Sequence, residues 1–398
     1  MQTAAQATPA QPLPGVLWPM MFGNVVIGMG VMVITGLLND IRTSLEVSIT
    51  TAGQLISISA FVVCLGAPVI ATWVGQWDRR RLLVGSLLWY AMLHLLAAFT
   101  PGYWSLLACR VLAMVAAAVY TPQAAACIGM LVPQAQRGRA ITFVFLGWSV
   151  ASVLGTPLGT WIGGTFGWRW SMALLALLSL LSAMWLAVRL PKGLVPPALS
   201  AAAWRQTLLS PALMLTLSIT VVSAAGQFVL FSYMAPYVVQ RFAVSPTQFS
   251  LMLLAYGACG FAGNAWVSRR IDHLGAERTM AMALAAIAIG MALVSQSTSF
   301  AWMVLAILPW GLGVFASNSS QQARLVGLAP VLAPASVALN TSAMYLGQAL
   351  GATLGGWLIL HQGLTVLPGV GSLGLVLALI LSGWASRVAL RHPVRPLP

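Results

Sequence analysis

Arg110 is a charged side chain placed well inside an apolar stretch of the sequence. It follows Tyr103 by seven residues, so in a helix it lies on the order of 10 Å below that interfacial aromatic side chain. If the stretch crosses a membrane, a charge at that depth costs at least ~2.5 kcal/mol unless it is paired or hydrated. Arg110 is therefore expected to have a partner. A purely structural alternative is an arginine bonded to carbonyl groups and glutamine side chains.

His94 is the other titratable group within an apolar stretch whose chemistry suits proton exchange near neutral pH. A lone histidine in such a stretch is more often a hydrogen-bonded packing residue. Both interpretations of His94 stay open at this stage.

The carboxylates are informative because none is placed for catalysis. The five acidic residues all lie in predicted connections or at helix ends: Asp40, Glu46, Asp78, Asp272 and Glu277. A membrane enzyme would need an acid, base or nucleophile constellation, and the sequence has no HExxH, phosphate-loop or nucleophile-elbow motif. The sequence therefore predicts a protein that is not an enzyme, with no metal site and no cofactor.

The amino-acid composition indicates the class of protein in which Arg110, His94 and the carboxylates lie. Of the 398 residues, 60% are hydrophobic and 6% are charged, which indicates an integral membrane protein. The net charge of +14 would suit nucleic acid in a soluble chain, but the cations stand in short clusters between apolar stretches. No nucleic-acid partner is expected.

Hydropathy predicts twelve membrane-spanning helices, numbered here spans 1 to 12. They cover approximately residues 15–38, 51–74, 82–100, 103–130, 139–164, 168–189, 210–238, 246–267, 278–296, 299–325, 334–361 and 368–388. Residues 1–14 and 389–398 are predicted to be tails, the first of them disordered. Residues 190–209 are predicted to link an N-terminal bundle, 15–189, to a C-terminal bundle, 210–388.

The arginine and lysine residues are distributed unevenly between the two sides. Only Arg42, Arg169 and Arg241 fall in the odd-numbered connections, while the remaining cations outside the spans fall in the even-numbered connections and the C-terminal tail. By the positive-inside rule, both termini are predicted to be cytoplasmic.

The two halves resemble copies of each other. Asp78 matches Asp272, and the segment that begins at Gly155 matches the segment that begins at Gly351, each at an offset of about half the chain. Duplicated halves related by an axis along the membrane normal are typical of transporters that bind solute between them.

Span 5 carries glycines at multiples of four positions, at Gly147, Gly155, Gly159 and Gly163. One face of this helix therefore lacks side chains, so a neighbouring helix can approach closely. Pro157 removes one helix hydrogen bond and is expected to bend the helix. The face is either an ordinary packing surface or a bendable seal between the two halves.

Together these motifs resemble the major facilitator superfamily over essentially the whole chain. The resemblance rests on the connection Asp78 to Arg81 and its copy Arg269 to Arg278, on Arg110 in span 4, and on the glycine-proline motif of span 5. The last is similar to the antiporter signature of the drug/proton antiporter branch, particularly arabinose-efflux and purine-nucleoside-efflux permeases. The resemblance implies an all-α integral membrane fold of twelve transmembrane helices in two pseudo-symmetric six-helix bundles.

The resemblance also implies roles for the charged residues. Asp78 would act as a latch against the amino end of a helix from the opposite half, favouring closure toward the cytoplasm. A simpler alternative is that these charges anchor helix ends in the headgroups. Arg110 would take part in proton coupling, although no carboxylate lies at the midplane to carry the proton. The residues expected to control gating are Asp78, Arg79, Arg81, Gly155, Pro157, Gly159, Asp272 and Arg278.

In this fold, spans 1, 4, 7 and 10 surround the central axis. The candidate substrate-binding residues are Asn24, Met32, Met114, Tyr120, Gln123, Gln227, Phe231, Met234, Trp310, Asn318 and Gln321. Amides, aromatic rings and methionines suit a neutral or mildly polar organic compound such as a drug, a sugar or a nucleoside. Alternatively, several of these residues hydrogen-bond between helices.

The functional prediction is a secondary active transporter that exports such a compound by proton-coupled, rocker-switch alternating access. The resemblance implies a monomer in a bacterial inner membrane, in contact with lipid, a small-molecule substrate and protons. The alternatives are an uncoupled facilitator, an uptake permease, a sensor that does not transport, or a membrane enzyme.

Overall fold

The computed structural model describes residues 15–74, 76–133, 137–195 and 201–391. The predicted tail 1–14 and most of the predicted tail 389–398 lie outside the described residues, as does part of the predicted linker. The chain is almost entirely helical, and twelve helices are long and apolar enough to cross a membrane. This confirms the predicted fold class.

The twelve spans keep the predicted order, with ends shifted by a few residues. Spans 1 to 6 are Leu17–Ser44, Ile49–Trp73, Arg79–Ala98, Tyr103–Leu131, Arg137–Phe166 and Trp168–Arg189. Spans 7 to 12 are Pro211–Phe242, Pro246–Leu274, Ala276–Ser295, Phe300–Leu328, Ala333–Gln362 and Leu367–Arg391. Span 7 is two helices, Pro211–Phe231 and Met234–Phe242, and a short helix, Ala201–Leu209, lies in the segment predicted to be the linker.

Local chemistry fixes several helix ends. Asp78 precedes span 3 and accepts a hydrogen bond from the backbone N–H of Arg81, which satisfies one of the free donors of the first turn. Ser245 and Gln248 form a capping box at the start of span 8, with Pro246 in the first turn. Gly167 has a φ of 101°, which permits the sharp turn between spans 5 and 6.

Span 5 is interrupted near its middle. The segment Ala151–Gly155 is π-helical and is followed directly by Thr156 and Pro157. A proline ring disturbs the helical bonding of the preceding turn, so the π-helical turn lies where a bend is expected.

The glycine face of span 5 packs on span 1 of the same half. A Cβ atom at Gly155 would contact Met29, one at Gly159 would contact Val33, and one at Gly163 would contact Leu37. Span 5 meets the opposite half elsewhere: the backbone at Ser152 lies against Gly257 of span 8. Span 5 is therefore clamped between span 1 and span 8.

We call the end at which span 1 begins and span 12 ends the near end, and the opposite end the far end. At the far end the two halves are in close contact. The Tyr233 ring of span 7 lies against Gly53 of span 2, and Gly164 of span 5 lies against Pro246 of span 8. The far end is therefore closed in this conformation.

Candidate functional site

Two of the predicted polar residues of the N-terminal half are bonded to neighbouring helices. Asn24 is fully buried; its amide nitrogen donates to the carbonyl of Val144 (3.0 Å), and its oxygen accepts from the Thr121 hydroxyl (2.7 Å). Tyr120 is also fully buried and donates to the carbonyl of Met20 (3.2 Å). In this conformation Asn24 and Tyr120 join helices rather than line a cavity, which is the alternative that the sequence analysis left open, because every polar atom of their side chains reaches a neighbouring span.

Other predicted residues of this half differ in exposure. Met114 is 1% exposed and packs in an apolar cluster, so it also lies away from any open cavity in this conformation. Gln123 is buried, whereas Met32 is partly exposed.

In the C-terminal half, three aromatic rings form one cluster. The ring centroids of Phe231, Tyr256 and Trp310 lie 5.5 to 5.8 Å apart. The Trp310 indole N–H donates to the side-chain oxygen of Gln227 (3.1 Å). The structure thus brings together the predicted residues Gln227, Phe231 and Trp310, and adds Tyr256 of span 8, which the sequence analysis did not identify. The predicted Met234 is fully buried in the same apolar core.

A second group in the C-terminal half consists of amides and hydroxyls, which we call the amide group. Gln321 donates to the Thr220 hydroxyl (3.0 Å), which donates to the side-chain oxygen of Asn340 (2.7 Å). The Asn340 amide then donates to Asn318 (3.3 Å). One further bond, from Gln322 to Asn318, extends the group, and we include in it the separate bond from Ser319, the neighbour of Asn318 in span 10, to Asn264 of span 8.

The amide group runs from buried to partly exposed positions. Gln321 and Asn340 are each 1% exposed, whereas Asn318, Gln322 and Asn264 are partly exposed. It therefore presents uncharged donors and acceptors at a surface shared by spans 8, 10 and 11. Such a surface can bond to a solute that carries hydroxyl or amide groups.

Arg110 has the partners that its depth requires. Its guanidinium donates to the carbonyls of Gly30 (2.6 Å) and Val31 (3.0 Å) in span 1, and the residue is 5% exposed. Two tyrosines lie close enough to interact electrostatically with its charge, Tyr90 of span 3 and Tyr345 of span 11. Since span 11 belongs to the opposite half, Arg110 lies where the two halves meet.

His94 is packed beside the same group. Its Nδ1 lies 2.9 Å from the Tyr90 carbonyl oxygen, its ring centroid is 4.1 Å from that of Tyr90, and it is 2% exposed. His94 and Arg110 line one small cavity. The structure thus brings the two predicted coupling residues together.

Comparison with known proteins identifies the family. The family model for the Major Facilitator Superfamily matches residues 20–330 and 216–397. The chain belongs to the major facilitator superfamily.

Relatives in this superfamily match most of the chain. The inner membrane transport protein YdhP of Escherichia coli K12 is 28% identical over 88% of this chain and 91% of its own length. A probable sugar efflux transporter of Helicobacter pylori is 27% identical over 89% of this chain and 90% of its own length. The protein is a multi-pass inner membrane transporter and not an enzyme.

Solved structures with the same fold include two superfamily transporters. A bacterial homologue of the human lysosomal transporter Spinster, in an inward-facing and occupied conformation, has a TM-score of 0.75 and 16% identity over 96% of this chain and 98% of its own. The D-xylose-proton symporter has a TM-score of 0.73 and 18% identity over 92% of this chain and 96% of its own.

The latch expected from the superfamily is not engaged in this conformation. One Asp78 oxygen accepts from the N–H of Arg81 (2.9 Å), and the other accepts from the N–H of Gly193, which follows span 6 of the same half. Burial alone would raise the Asp78 pKa, but the backbone donors Arg81, Gly193 and Leu194, together with the Arg81 charge, lower it below its ordinary value.

Arg79 is also turned into its own half. It is 3% exposed and donates to the carbonyls of Val74 (2.9 Å) and Trp77 (3.1 Å). Arg81 contributes its backbone N–H to the Asp78 cap. These bonds hold the connection after span 2 in a fixed shape.

The matching connection of the C-terminal half is contacted by Arg324, a residue to which the sequence analysis assigned no role. Arg324 of span 10 donates to the hydroxyls of Ser382 (3.0 Å) and Ser386 (2.9 Å) in span 12, and lies 3.7 Å from the carboxylate of Glu277. The signal that could have found it is a serine pair four residues apart in span 12. Arg278 is exposed, and the Asp272 side chain lies outside the described residues.

Proposed function

We propose that this protein exports a small, uncharged, hydroxyl-bearing organic compound across the inner membrane in exchange for protons. The observation that carries this proposal is the amide group, whose partly exposed members offer neutral donors and acceptors about two helical turns along span 10 from Trp310 of the aromatic cluster. A sugar or nucleoside fits this chemistry because its hydroxyl groups can both donate and accept hydrogen bonds. The probable sugar efflux transporter of Helicobacter pylori supports the same substrate class.

The proposed transport cycle is a rocking motion of the two halves. The arginine and lysine distribution favours a cytoplasmic near end, so solute would enter from the near end while the far end is closed. Opening the far end requires that Tyr233 leaves Gly53 and that Gly164 leaves Pro246. In the alternate state Asp78 would leave its own half and contact the opposite half, as the superfamily latch requires.

The proposed coupling site is the contact of Arg110 with both halves. Its guanidinium is fixed to span 1 by two carbonyls, while Tyr345 approaches it from span 11. When the halves move, Tyr345 leaves Arg110 and the surroundings of the charge change. A change of this kind can link proton binding to the transport cycle, with His94 as the adjacent titratable group.

The test is transport by the purified protein in proteoliposomes. We expect counterflow with at least one compound from a panel of radiolabelled sugars, nucleosides and uncharged drugs, and faster export when a pH gradient is imposed. Asn318→Ala should weaken transport, and Gln296→Ala, an exposed amide at the end of span 9 and outside the amide group, is the matched control.

Each alternative gives a different result in this assay. Counterflow without any effect of the pH gradient would replace the coupled antiporter with a facilitator. Binding of a compound without counterflow would indicate a sensor, and accumulation in the opposite direction would indicate an uptake permease. Selective transport of apolar drugs, unaffected by Asn318→Ala, would move the site to the aromatic cluster.

A further inference from the structure

A second cavity lies at the far end, between the two halves. Its volume is about 400 Å³, and its lining includes Asn39, Arg42 and Ile49 of the N-terminal half, and Val239, Gln240 and Ile359 of the C-terminal half. This volume lies within the range of small-molecule sites, about 300 to 1,000 Å³.

The cavity is separated from the amide group by the far-end contacts. Ile49 lies one helical turn closer to the far end than Gly53, which is in contact with Tyr233. Val239 follows Tyr233 by six residues in the same direction. A compound in this cavity therefore lies on the far side of the contact between Tyr233 and Gly53. It enters the cavity from the far side of the membrane.

Arg42 gives the cavity a cation with unused donors. Its Nε donates to the Asn39 side-chain oxygen (3.0 Å), which fixes the guanidinium plane. Among the residues that the structure describes, no acceptor bonds to its two terminal nitrogens and no carboxylate lies within 4 Å of them, since the ion pair found there is that of Arg324 with Glu277. Asp40 and Glu46 are close in sequence but form no ion pair with Arg42 in that part of the chain.

The rest of the lining is mixed in character. Ile49, Val239 and Ile359 provide apolar surface, and Gln240 provides an exposed amide. The planar guanidinium of an arginine matches a carboxylate, which it binds through two parallel N–H bonds. A compound with one carboxylate and a compact apolar body would satisfy both parts of the cavity.

We propose that the far-end cavity is a binding site for small amphipathic monocarboxylates. Arg42 holds the carboxylate, and Ile49, Val239 and Ile359 contact the apolar body. Because its walls come from both halves, a bound compound stabilises the conformation in which the far end is closed. It therefore acts as an inhibitor from the far side, a consequence that rests on the proposed function, whereas binding itself does not.

The test uses radiolabelled 4-phenylbutyrate as the probe and the full chain in nanodiscs of uncharged lipid. We expect saturable binding to the wild type, and affinity lower by at least tenfold, about the value of a charge-assisted hydrogen bond, for Arg42→Gln. The neutral analogue 4-phenylbutyramide should compete poorly. Arg169→Gln is the matched control because Arg169 lies at the same end and donates to the carbonyl of Thr100 instead. Equal binding by wild type and Arg42→Gln, or equal competition by the amide, overturns the proposal.

A second variant keeps the test decisive if Arg42→Gln fails to fold. Val239→Trp fills the cavity from the other half and leaves Arg42 in place, so binding should again fall by at least tenfold. Unchanged binding to a folded Val239→Trp protein contradicts the assigned site.

Counterflow at equal pH on both sides tests the inhibition separately. External 4-phenylbutyrate should slow counterflow by the wild type and not by Arg42→Gln. Binding with unchanged counterflow refutes the closure mechanism. If no compound in the panel is transported, the binding result still decides the site.

Discussion

Each half contains a threonine that donates to an asparagine, but the two asparagines bond to different kinds of neighbour. In the N-terminal half, Thr121 donates to Asn24 at 2.7 Å; in the C-terminal half, Thr220 donates to Asn340 at 2.7 Å. The Asn24 amide then ends on a backbone carbonyl, that of Val144, and Thr121 accepts one further bond, from the Trp148 indole (3.4 Å), so both groups of the Asn24 amide are used and the network closes within the half. The Asn340 amide instead continues to Asn318, which is partly exposed.

This difference indicates that the two halves have different functions, although their architecture is duplicated. A closed polar network fixes helices relative to one another, because any displacement leaves a buried donor or acceptor without a partner. An open network can exchange one of its bonds for a bond to solute. We infer that the N-terminal half provides the fixed frame and the coupling charge, and that the C-terminal half provides most of the solute contacts.

Arg110→Ala should have the largest effect, because it removes the charge from the N-terminal frame. We expect transport driven by a pH gradient to fall by about 100-fold or more, since both bonds to span 1 and the electrostatic interaction with Tyr345 are lost. Initial rates in proteoliposomes with an imposed pH gradient measure this effect. Arg110→Lys is the conservative control, which keeps the charge but not the planar fork. Wild-type dependence on pH in Arg110→Ala would reduce Arg110 to a structural residue.

Gly159→Leu should disrupt the packing of span 5 on span 1 in the N-terminal half. A Cβ atom at this position would already lie 2.7 Å from the Val33 side chain, so a leucine must push span 5 away from span 1. We expect overpacking of about 1–3 kcal/mol and loss of transport in a protein that still inserts in the membrane. Gly85→Leu is the control, because a Cβ atom there meets nothing within 4 Å. Normal transport by Gly159→Leu would show that the close approach of the two spans is dispensable.

The paired variants Asn318→Ala and Asn24→Ala test the comparison directly. Asn318→Ala should weaken solute affinity about tenfold, the value of one hydrogen bond of 1–1.5 kcal/mol, with a small change in stability because Asn318 is partly exposed. Asn24→Ala should lower the free energy of unfolding by about 1–3 kcal/mol and leave affinity unchanged, because it leaves buried groups unpaired. Equilibrium binding and thermal unfolding measure the two quantities. The opposite pattern would reverse the roles assigned to the two halves.

The sequence was sufficient to predict the twelve membrane spans, because the length of an apolar stretch and the position of arginine clusters are local signals. It also predicted that Arg110 needs a partner, since the cost of a buried charge follows from its position alone. It could not distinguish Asn24 from Asn318, because their difference lies in what a neighbouring span places beside each amide. For the same reason it predicted the glycine face of span 5 but not which helix approaches that face. Arg324 was missed because its serine partners are 58 and 62 positions away in sequence.

Asp78→Asn should have the smallest effect, confined to the near end of the N-terminal frame. The Asp78 pKa is lower in the folded protein than its ordinary value, because backbone donors favour the ionised form. Its stabilising contribution is therefore complete above the unfolded-state pKa of about 4 and is lost as the pH falls through the lower folded-state pKa. We expect wild type to exceed Asp78→Asn by about 1 kcal/mol at neutral pH, because asparagine can still accept the cap bond from Arg81 but its NH₂ group cannot accept the bond from Gly193. The difference should shrink as the pH falls below the ordinary aspartate pKa. Thermal unfolding across this range measures it, with Glu46→Gln, at an exposed position, as the control. A difference that stayed constant at low pH would mean that shape rather than the Asp78 charge holds the connection to its own half.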